Sequence, residues 1–266
     1  MADLDFIRHL NLKYSKESET ASFFRLKHLV EQFKIGLYGQ TKGFDPVAIN
    51  ELGDNFITYF EQGVQASVCL LFIDVCNFSI RLKEYSGEQI SEFFDDYYQK
   101  VIPIIYKHGG EIDKIIGDGL IAVFGQPFLN KKYPDCFVLA DACAKDVILE
   151  TAGTIYSSKV AFHAGKINYY KNKSGFYNEY TMVGKPLTEL FRLESISQDE
   201  CINYFNNSIV SAYYNQTHSG SSWYGIDDEY EYTDDLDRTW GFSKSRIENL
   251  NGVTGYSSIF HIRSIN

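Results

Sequence analysis

This chain of 266 residues lacks most of the features that sort a protein quickly. No apolar run approaches the roughly 20 residues that a bilayer-spanning helix needs, so no membrane span is expected. The opening Met-Ala-Asp-Leu-Asp-Phe has neither the basic start nor the apolar stretch of a secretion signal. Cysteine is scarce, with five in all and no closely spaced pair. An odd, scattered set does not make a disulfide framework and fits a reducing, cytoplasmic setting. Cys136 and Cys143 have no histidine near them, whereas zinc ligands usually pair about two to four residues apart, so zinc is not expected. Positive charge is also short: 25 Lys and Arg stand against 35 Asp and Glu, for a net charge of −10. That argues against nonspecific nucleic-acid binding. There is no repeat and no long low-complexity linker.

What is present is a core former. The chain is 44% hydrophobic and 16% aromatic, chiefly Tyr and Phe, which suffices for one sizeable core and argues against disorder. Residues 1–63 read as a helical N-terminal segment, with Phe23, Leu26, Leu29, Val30, Phe33 and Ile35 near a 3.6 period across residues 18–37. A turn at 39–43, a short second segment to residue 61 and a break at Gly63 follow. Residues 64–75 read as a core strand, and 86–108 as an amphipathic helix stopped by Gly109-Gly110. Segments 111–116 and 120–124 form a hairpin around Gly117-Asp118-Gly119. Next come a helix at 133–151, strands at 159–169 and 180–183, and a helix at 186–196. Strand-like pieces at 201–205 and 257–263 flank an acidic, Tyr-rich stretch, 227–237, read as a solvated loop or hairpin. The order predicts an α+β fold, a central sheet with helices on one face.

Two acids are out of character. Asp74 closes the apolar run from Val68 to Ile73, and Asp118 follows Lys114-Ile115-Ile116-Gly117. A carboxylate at the end of a buried strand loses hydration and needs a cation or hydrogen-bond donors. Two such strand ends side by side would hold hard divalent ions, with Mg²⁺ keeping waters or substrate phosphates, which suits phosphoryl chemistry. Plainer roles exist for each residue. Asp74 can cap the next helix, and Asp118 can serve the turn. Arg192 can pair with Glu189 or Glu194 on a helix surface, Lys114 can snorkel from an edge, and Thr181 can be an ordinary strand residue. Phe78 suits core packing, and His163 has no nucleophile pattern beside it.

Taken together, the motifs resemble the catalytic domain of the class III nucleotide cyclases, the adenylate and guanylate cyclase family. The matching residues are Phe72-Ile73-Asp74 with Phe78-Ser79, then Gly109-Gly110-Glu111 and Lys114-Ile115-Ile116-Gly117-Asp118-Gly119-Leu120-Ile121-Ala122-Val123-Phe124-Gly125. Ala164-Gly165, Tyr180-Thr181-Met182-Val183-Gly184 and Arg192-Leu193-Glu194 follow in the family's order, and a closing hairpin matches around Leu250-Asn251-Gly252 and Ile259-Phe260-His261-Ile262. The resemblance implies a ferredoxin-like catalytic domain over residues 64–266 with a mostly antiparallel central sheet. It implies two divalent ions, Mn²⁺ or Mg²⁺, at Asp74, Val75 and Asp118, with Phe78 and Ser79 at the substrate. Lys114 and Thr181 match base-contacting positions, and Arg192 the arginine aimed at the reacting phosphate. It also implies a homodimer whose sites form between chains, so that Lys114, Thr181 and Arg192 face the other protomer's aspartates.

Thr188 stands where the family places a ribose-orienting asparagine, with Leu190 replacing a small residue nearby. Asn251 stands where many members carry lysine; Lys244 or Arg246 could supply that cation. A threonine keeps a hydroxyl but loses the two-ended amide. With no sensor module in view, the layout looks like the stand-alone pyrimidine cyclases of Pycsar antiphage systems. That likeness implies UTP or CTP as substrate and cyclic UMP or CMP as product, read by a separate effector. The pairing of Lys114 with Thr181 also occurs in bacterial adenylate cyclases, which implies ATP as the alternative. A diguanylate cyclase would need a second acid and Phe after Gly117-Asp118, and a degenerate binding-only domain would not need Arg192.

Overall fold

The computed structural model describes residues 49–50, 52–171, 180–217, 230–247 and 250–265. The helix expected over 18–37 and the turn at 39–43 lie outside these, as do residues 227–229 of the acidic stretch. The fold centres on β1 (Ala66–Val75), whose run of apolar residues is buried on both sides except at Ser67 and Asp74. Successive side chains of a strand point to opposite faces. Cys69, Leu71, Ile73 and Val75 enter one apolar cluster, and Val68, Leu70 and Phe72 the other.

β1 pairs antiparallel with β3 (Gly119–Gly125) and β4 (Ser158–Lys171). β3 pairs with β2 (Glu111–Ile116), and β4 with β5 (Tyr180–Val183) through its far end. β6 (Cys201–Phe205) lies parallel to β4, and β9 (Ser258–Ser264), β8 (Thr239–Arg246) and β7 (Tyr230–Thr233) extend the sheet antiparallel beyond it. Among the described residues the order is β2-β3-β1-β4-β6-β9-β8-β7, with β5 on a branch from β4. The sheet is mostly antiparallel, as expected.

Six helices are present among the described residues: α1 (Asp54–Phe56, continued by a wider turn, Ile57–Glu61), α2 (Phe78–Arg81), α3 (Gly87–Lys107), α4 (Tyr133–Thr151), α5 (Lys185–Glu194) and α6 (Ile209–Thr217). α3 begins at a capping box, with Ser86 Oγ accepting from Gln89 N–H and Gln89 Oε1 accepting from Ser86 N–H. Helices cover both faces rather than the single face expected. α3, α4 and α6 pack on the first cluster, whereas Leu187, Leu190 and Leu193 of α5 and Phe60 after α1 pack on the second. Because β1 is apolar on both of its alternating faces, one helical layer could not bury it.

The closing hairpin also differs. β9 pairs with β8, from Trp240 opposite Ser264 to Arg246 opposite Ser258, and Leu250 to Gly252 fall in the connection between them. The described part of the acidic stretch takes the hairpin form of the two expected. Tyr230–Thr233 forms β7, and Asp234 accepts from Arg238 Nε at 2.8 Å and Trp240 Nε1 at 3.0 Å. Arg238 also reaches Asp146 of α4 at 2.8 Å, which ties the β7–β8 hairpin to the helical layer.

Behind β6, Asn203 Oδ1 accepts from Gln198 N–H at 2.9 Å and from His261 Nδ1 at 2.7 Å. His261 Nε2, left as the acceptor, lies 2.7 Å from Ser245 Oγ. The ring is 1% exposed, and burial lowers its pKa from 6.5 to about 4. The unfolded chain therefore binds a proton near pH 6.5 that the folded chain refuses until about pH 4. Stability from this group is complete above pH 6.5 and is lost as pH falls through that window, by roughly 3 kcal/mol at the bottom. NMR titration of the His261 ring protons should give a midpoint near 4, and a midpoint near 6.5 would show that the ring is not sealed.

Candidate active site

Asp74 is the penultimate residue of β1, and Asp118 sits at the tip of the β2–β3 hairpin. The register of β1 on β3, with Ile73 opposite Leu120, carries that tip alongside the end of β1. A side chain at residue 119 would prevent this approach. A Cβ there would lie 2.3 Å from Phe72 Cε2 and 2.9 Å from Asp74 Oδ1, so glycine is required. Gly117 beside it adopts a φ of 62°, which the turn needs.

The two aspartates share a cleft of ≈ 280 Å³ with Val75, Phe78, Ser79 and Lys159. Burial and the neighbouring Asp118 carboxylate push the Asp74 carboxyl up to about 7, with Lys159 opposing. Asp118 is likewise raised, chiefly by burial. Lys159 stands opposite Asp74 in the β1–β4 register, 3.3 Å from its Oδ2 and 2.8 Å from Glu194 Oε1 at the end of α5. Burial alone would lower the Lys159 ammonium; its pairs with Glu194 and Asp74 outweigh that and raise it. Asp199 also lines the cleft, where Asn77 Nδ2 donates to its carboxylate.

This donor set fits a hard divalent cation: oxygen ligands, half-buried, with two carboxylates repelling each other across the cleft. Among the described residues no group of three or more His, Cys, Asp or Glu side chains could hold a metal, so the remaining ligand positions would fall to main chain, water or phosphate. Mg²⁺ and its relatives commonly bind this way, through one or two carboxylates. The helix-cap role considered for Asp74 is not taken, because Asn77, left-handed at φ 53°, precedes α2. Phe78 stacks on Phe94 at 5.2 Å, joining the core while it walls the cleft.

A second cluster lies apart. Lys114 Nζ donates to Thr181 Oγ1 at 2.9 Å, and the threonine hydroxyl donates to Asp113 Oδ1 at 3.2 Å. Asp113 Oδ2 lies 3.2 Å from the Lys114 ammonium. On α5, Thr188 and Arg192 are exposed, four residues apart and thus on one side of the helix. The carboxylates considered as surface partners for Arg192 are engaged elsewhere: Glu189 is buried against His163 at 3.1 Å, and Glu194 holds Lys159. Lys114, Thr181, Thr188 and Arg192 do not line the acid cleft of their own chain, and neither do Lys244 and Arg246, exposed on β8.

No protein-family model matches the chain, and no curated protein matches it. Solved structures do. The adenylyl cyclase CyaB from P. aeruginosa superposes with a TM-score of 0.55 at 16% identity, over 76% of this chain and 96% of that one. The guanylate cyclase domain of RhGC from Catenaria anguillulae, in complex with GTP, gives 0.54 at 17% identity, over 76% and 98%. A dimeric guanylyl cyclase domain of the RhoGC fusion protein from the fungus Blastocladiella emersonii gives 0.55 at 16% identity, over 76% and 98%. The fold is that of a nucleotide cyclase catalytic domain.

Within this cyclase fold, sequence reading missed Lys159, Glu194, Asp199 and Asp113. The available signals were a lysine at the head of the buried strand Val160 to Ala164 and an acid beside Lys114 in β2. The raised Asp74 carboxyl has a consequence for stability. Between 3.8, its ordinary value, and about 7 the folded chain binds a proton that the unfolded chain has released. Stability therefore falls as pH rises through that window and stays lost above it. At pH 8, without divalent metal, Asp74→Asn should stabilise the fold by roughly 1–3 kcal/mol, read as a higher thermal midpoint. Mn²⁺ should raise the midpoint of the native protein and not that of the variant. A variant no more stable than the native chain, or equally stabilised by Mn²⁺, would remove Asp74 from the metal site.

Proposed function

We propose that the chain is a nucleotidyl cyclase, converting a nucleoside triphosphate to its 3′,5′-cyclic monophosphate and pyrophosphate with two divalent ions. The observation that carries this reading is the convergence of Asp74 and Asp118 on one half-buried cleft, walled by Lys159, within a cyclase fold. Divalent ions bound there would neutralise triphosphate charge and acidify the ribose 3′-hydroxyl. Asp74 and Asp118 would hold them, with the main chain at Val75. Ser79 and Lys159 line the same cleft and suit phosphate oxygens, the lysine as a point charge. In the reaction the 3′-oxygen bonds to the α-phosphorus, the bond from that phosphorus to the bridging oxygen breaks, pyrophosphate leaves and the hydroxyl proton passes to water. Arg192, an always-charged donor fork, suits the charge that develops on the phosphorus oxygens.

The separation of the two clusters supports a homodimer. Acids from one chain would meet Lys114, Thr181, Thr188 and Arg192 from the other. Among triphosphates we favour UTP or CTP, giving cyclic UMP or CMP for a separate effector in an antiphage Pycsar system. Support comes from Thr188 in place of a ribose-orienting amide; a Lys114 ammonium can serve O2 or O4 of a pyrimidine as well as a purine edge and does not choose between them. ATP is the second reading, favoured by the direct contact between Lys114 and Thr181.

Incubation with ATP, GTP, CTP and UTP in competition, with Mn²⁺ and mass-spectrometric detection, should yield a 3′,5′-cyclic nucleotide; none from any of the four would sink the cyclase reading. Asp74→Ala or Asp118→Ala should lower turnover by about 10³-fold or more, and Arg192→Ala by about 10²- to 10³-fold. Mixing Asp74→Ala with Arg192→Ala protein should restore part of the activity, because each mixed dimer carries one site with both residues intact. Absence of rescue among dimers shown to be mixed would place each site within a single chain.

A further inference from the structure

We propose that Asp113 is a specificity-positioning residue: it locks Lys114 and Thr181 into a single base-reading unit with a fixed pattern of one donor and one acceptor. This rests on the cyclase reading above. Asp113 and Lys114 are adjacent in β2, and neighbours in a regular strand face opposite sides. The register of β2 on β3 shifts between Ile112 and Lys114, so Asp113 is the bulged residue. A bulge bends its strand and re-aims a side chain. Here it lets adjacent residues converge on one hydroxyl from β5, although among the described residues β5 pairs with β4 and not with β2.

Proton bookkeeping then fixes what the unit can offer. Asp113 is fully buried, and burial raises its carboxyl to about 6, held from rising further by the Lys114 ammonium, the Thr181 hydroxyl and a bond from the Met182 main chain. It therefore carries its charge at neutral pH. The hydroxyl of Thr181 has one proton, and Asp113 Oδ1 takes it. One of the two lone pairs on Thr181 Oγ1 accepts from Lys114, leaving a single acceptor. Lys114 has three protons; one goes to Thr181 and the charge leans on Asp113 Oδ2, leaving donor capacity on a side chain still 20% exposed. Asp113 thus prevents the hydroxyl from rotating into a donor and the lysine from swinging away. A freely rotating hydroxyl could serve either a base N–H or a base nitrogen; one held as an acceptor serves only the first.

A site that fixes donor and acceptor polarity rejects the wrong edge because its own buried groups are then left unpaired. Asp113→Asn keeps the shape and removes the charge. The test is equilibrium binding of the four 3′-deoxynucleoside triphosphates, which lack the attacking hydroxyl, to the full chain with Mn²⁺. The native protein should prefer one base, and Asp113→Asn should lower the ratio of best to second-best affinity by about tenfold. With ordinary triphosphates the loss should fall mainly on KM. Thr181→Val should produce a similar drop, and the double variant should be little worse than either single one, as for residues acting as a unit. If Asp113→Asn fails to fold, Thr181→Val alone carries the test. Uniformly weaker binding with the ratio intact would reduce Asp113 to a structural role and overturn the proposal, as would a native protein indifferent to the base. Base-selective binding without cyclic product would instead overturn the cyclase reading and leave the binding unit standing.

Discussion

Two carboxylates held against each other at the edge of a hydrophobic core are the constraint around which this molecule is arranged. Either acid alone could turn to water or protonate at little cost. Together, with burial pushing both upward, they form a site that a proton or a cation must complete. The surrounding fold prevents their escape. β1 is buried on both faces, the hairpin is registered against it, and the missing side chain at Gly119 allows contact between the hairpin tip and Asp74. Lys159 supplies one positive charge, and it is shared with Glu194, so it does not neutralise the pair.

The features legible in the sequence were the local ones. The β2–β3 hairpin was visible because Gly117-Asp118-Gly119 is turn chemistry between apolar runs, and α4 because its limits are set by nearby residues. The expected bounds of β5 and β6 match the observed strands. What escaped depends on pairing across the chain. Nothing near Lys159 says that it lies opposite Asp74; only the β1–β4 register does. Asp113 drew no notice beside Lys114 because its inward turn comes from a bulge in the β2–β3 ladder. β8 was hidden because Trp240, Phe242, Lys244 and Arg246 share one face, buried at the start of the strand and exposed at its end, so no apolar/polar alternation of period 2 announces it. α6 escaped because Ile-Val-Ser-Ala-Tyr-Tyr is composed of residues that favour strands as readily as helices.

The cleft wall owes its position to residues that never touch it. Asn203 binds both main-chain groups of Gln198, accepting from its N–H and donating to its carbonyl at 3.1 Å. Two residues on, Glu200 N–H points at Cys76 Sγ, 3.4 Å away. The loop between α5 and β6 is thereby pinned to the sheet at one end and to the turn after β1 at the other. Asp199, between these two anchors, faces the cleft and holds Asn77. A buried, fully satisfied amide is well suited to this task, since any rotation leaves several polar groups unpaired.

α5 borders both parts of the proposed site, and this bears on the homodimer reading. Its inward residues Leu187, Leu190 and Leu193 fix the helix on the second apolar layer, and Glu194 reaches Lys159 at the acid cleft. Thr188 and Arg192, on the same helix, point away from that layer into solvent. No rotation of a helix held by three buried leucines could bring Arg192 into its own chain's cleft without exposing that apolar stripe. Losing the burial of even one leucine costs about 2–5 kcal/mol, more than a surface arginine contact returns. In the proposed homodimer, a second copy related by a two-fold axis would offer the arginine a cleft at no such cost, because a self-complementary interface repeats the same contact on both sides.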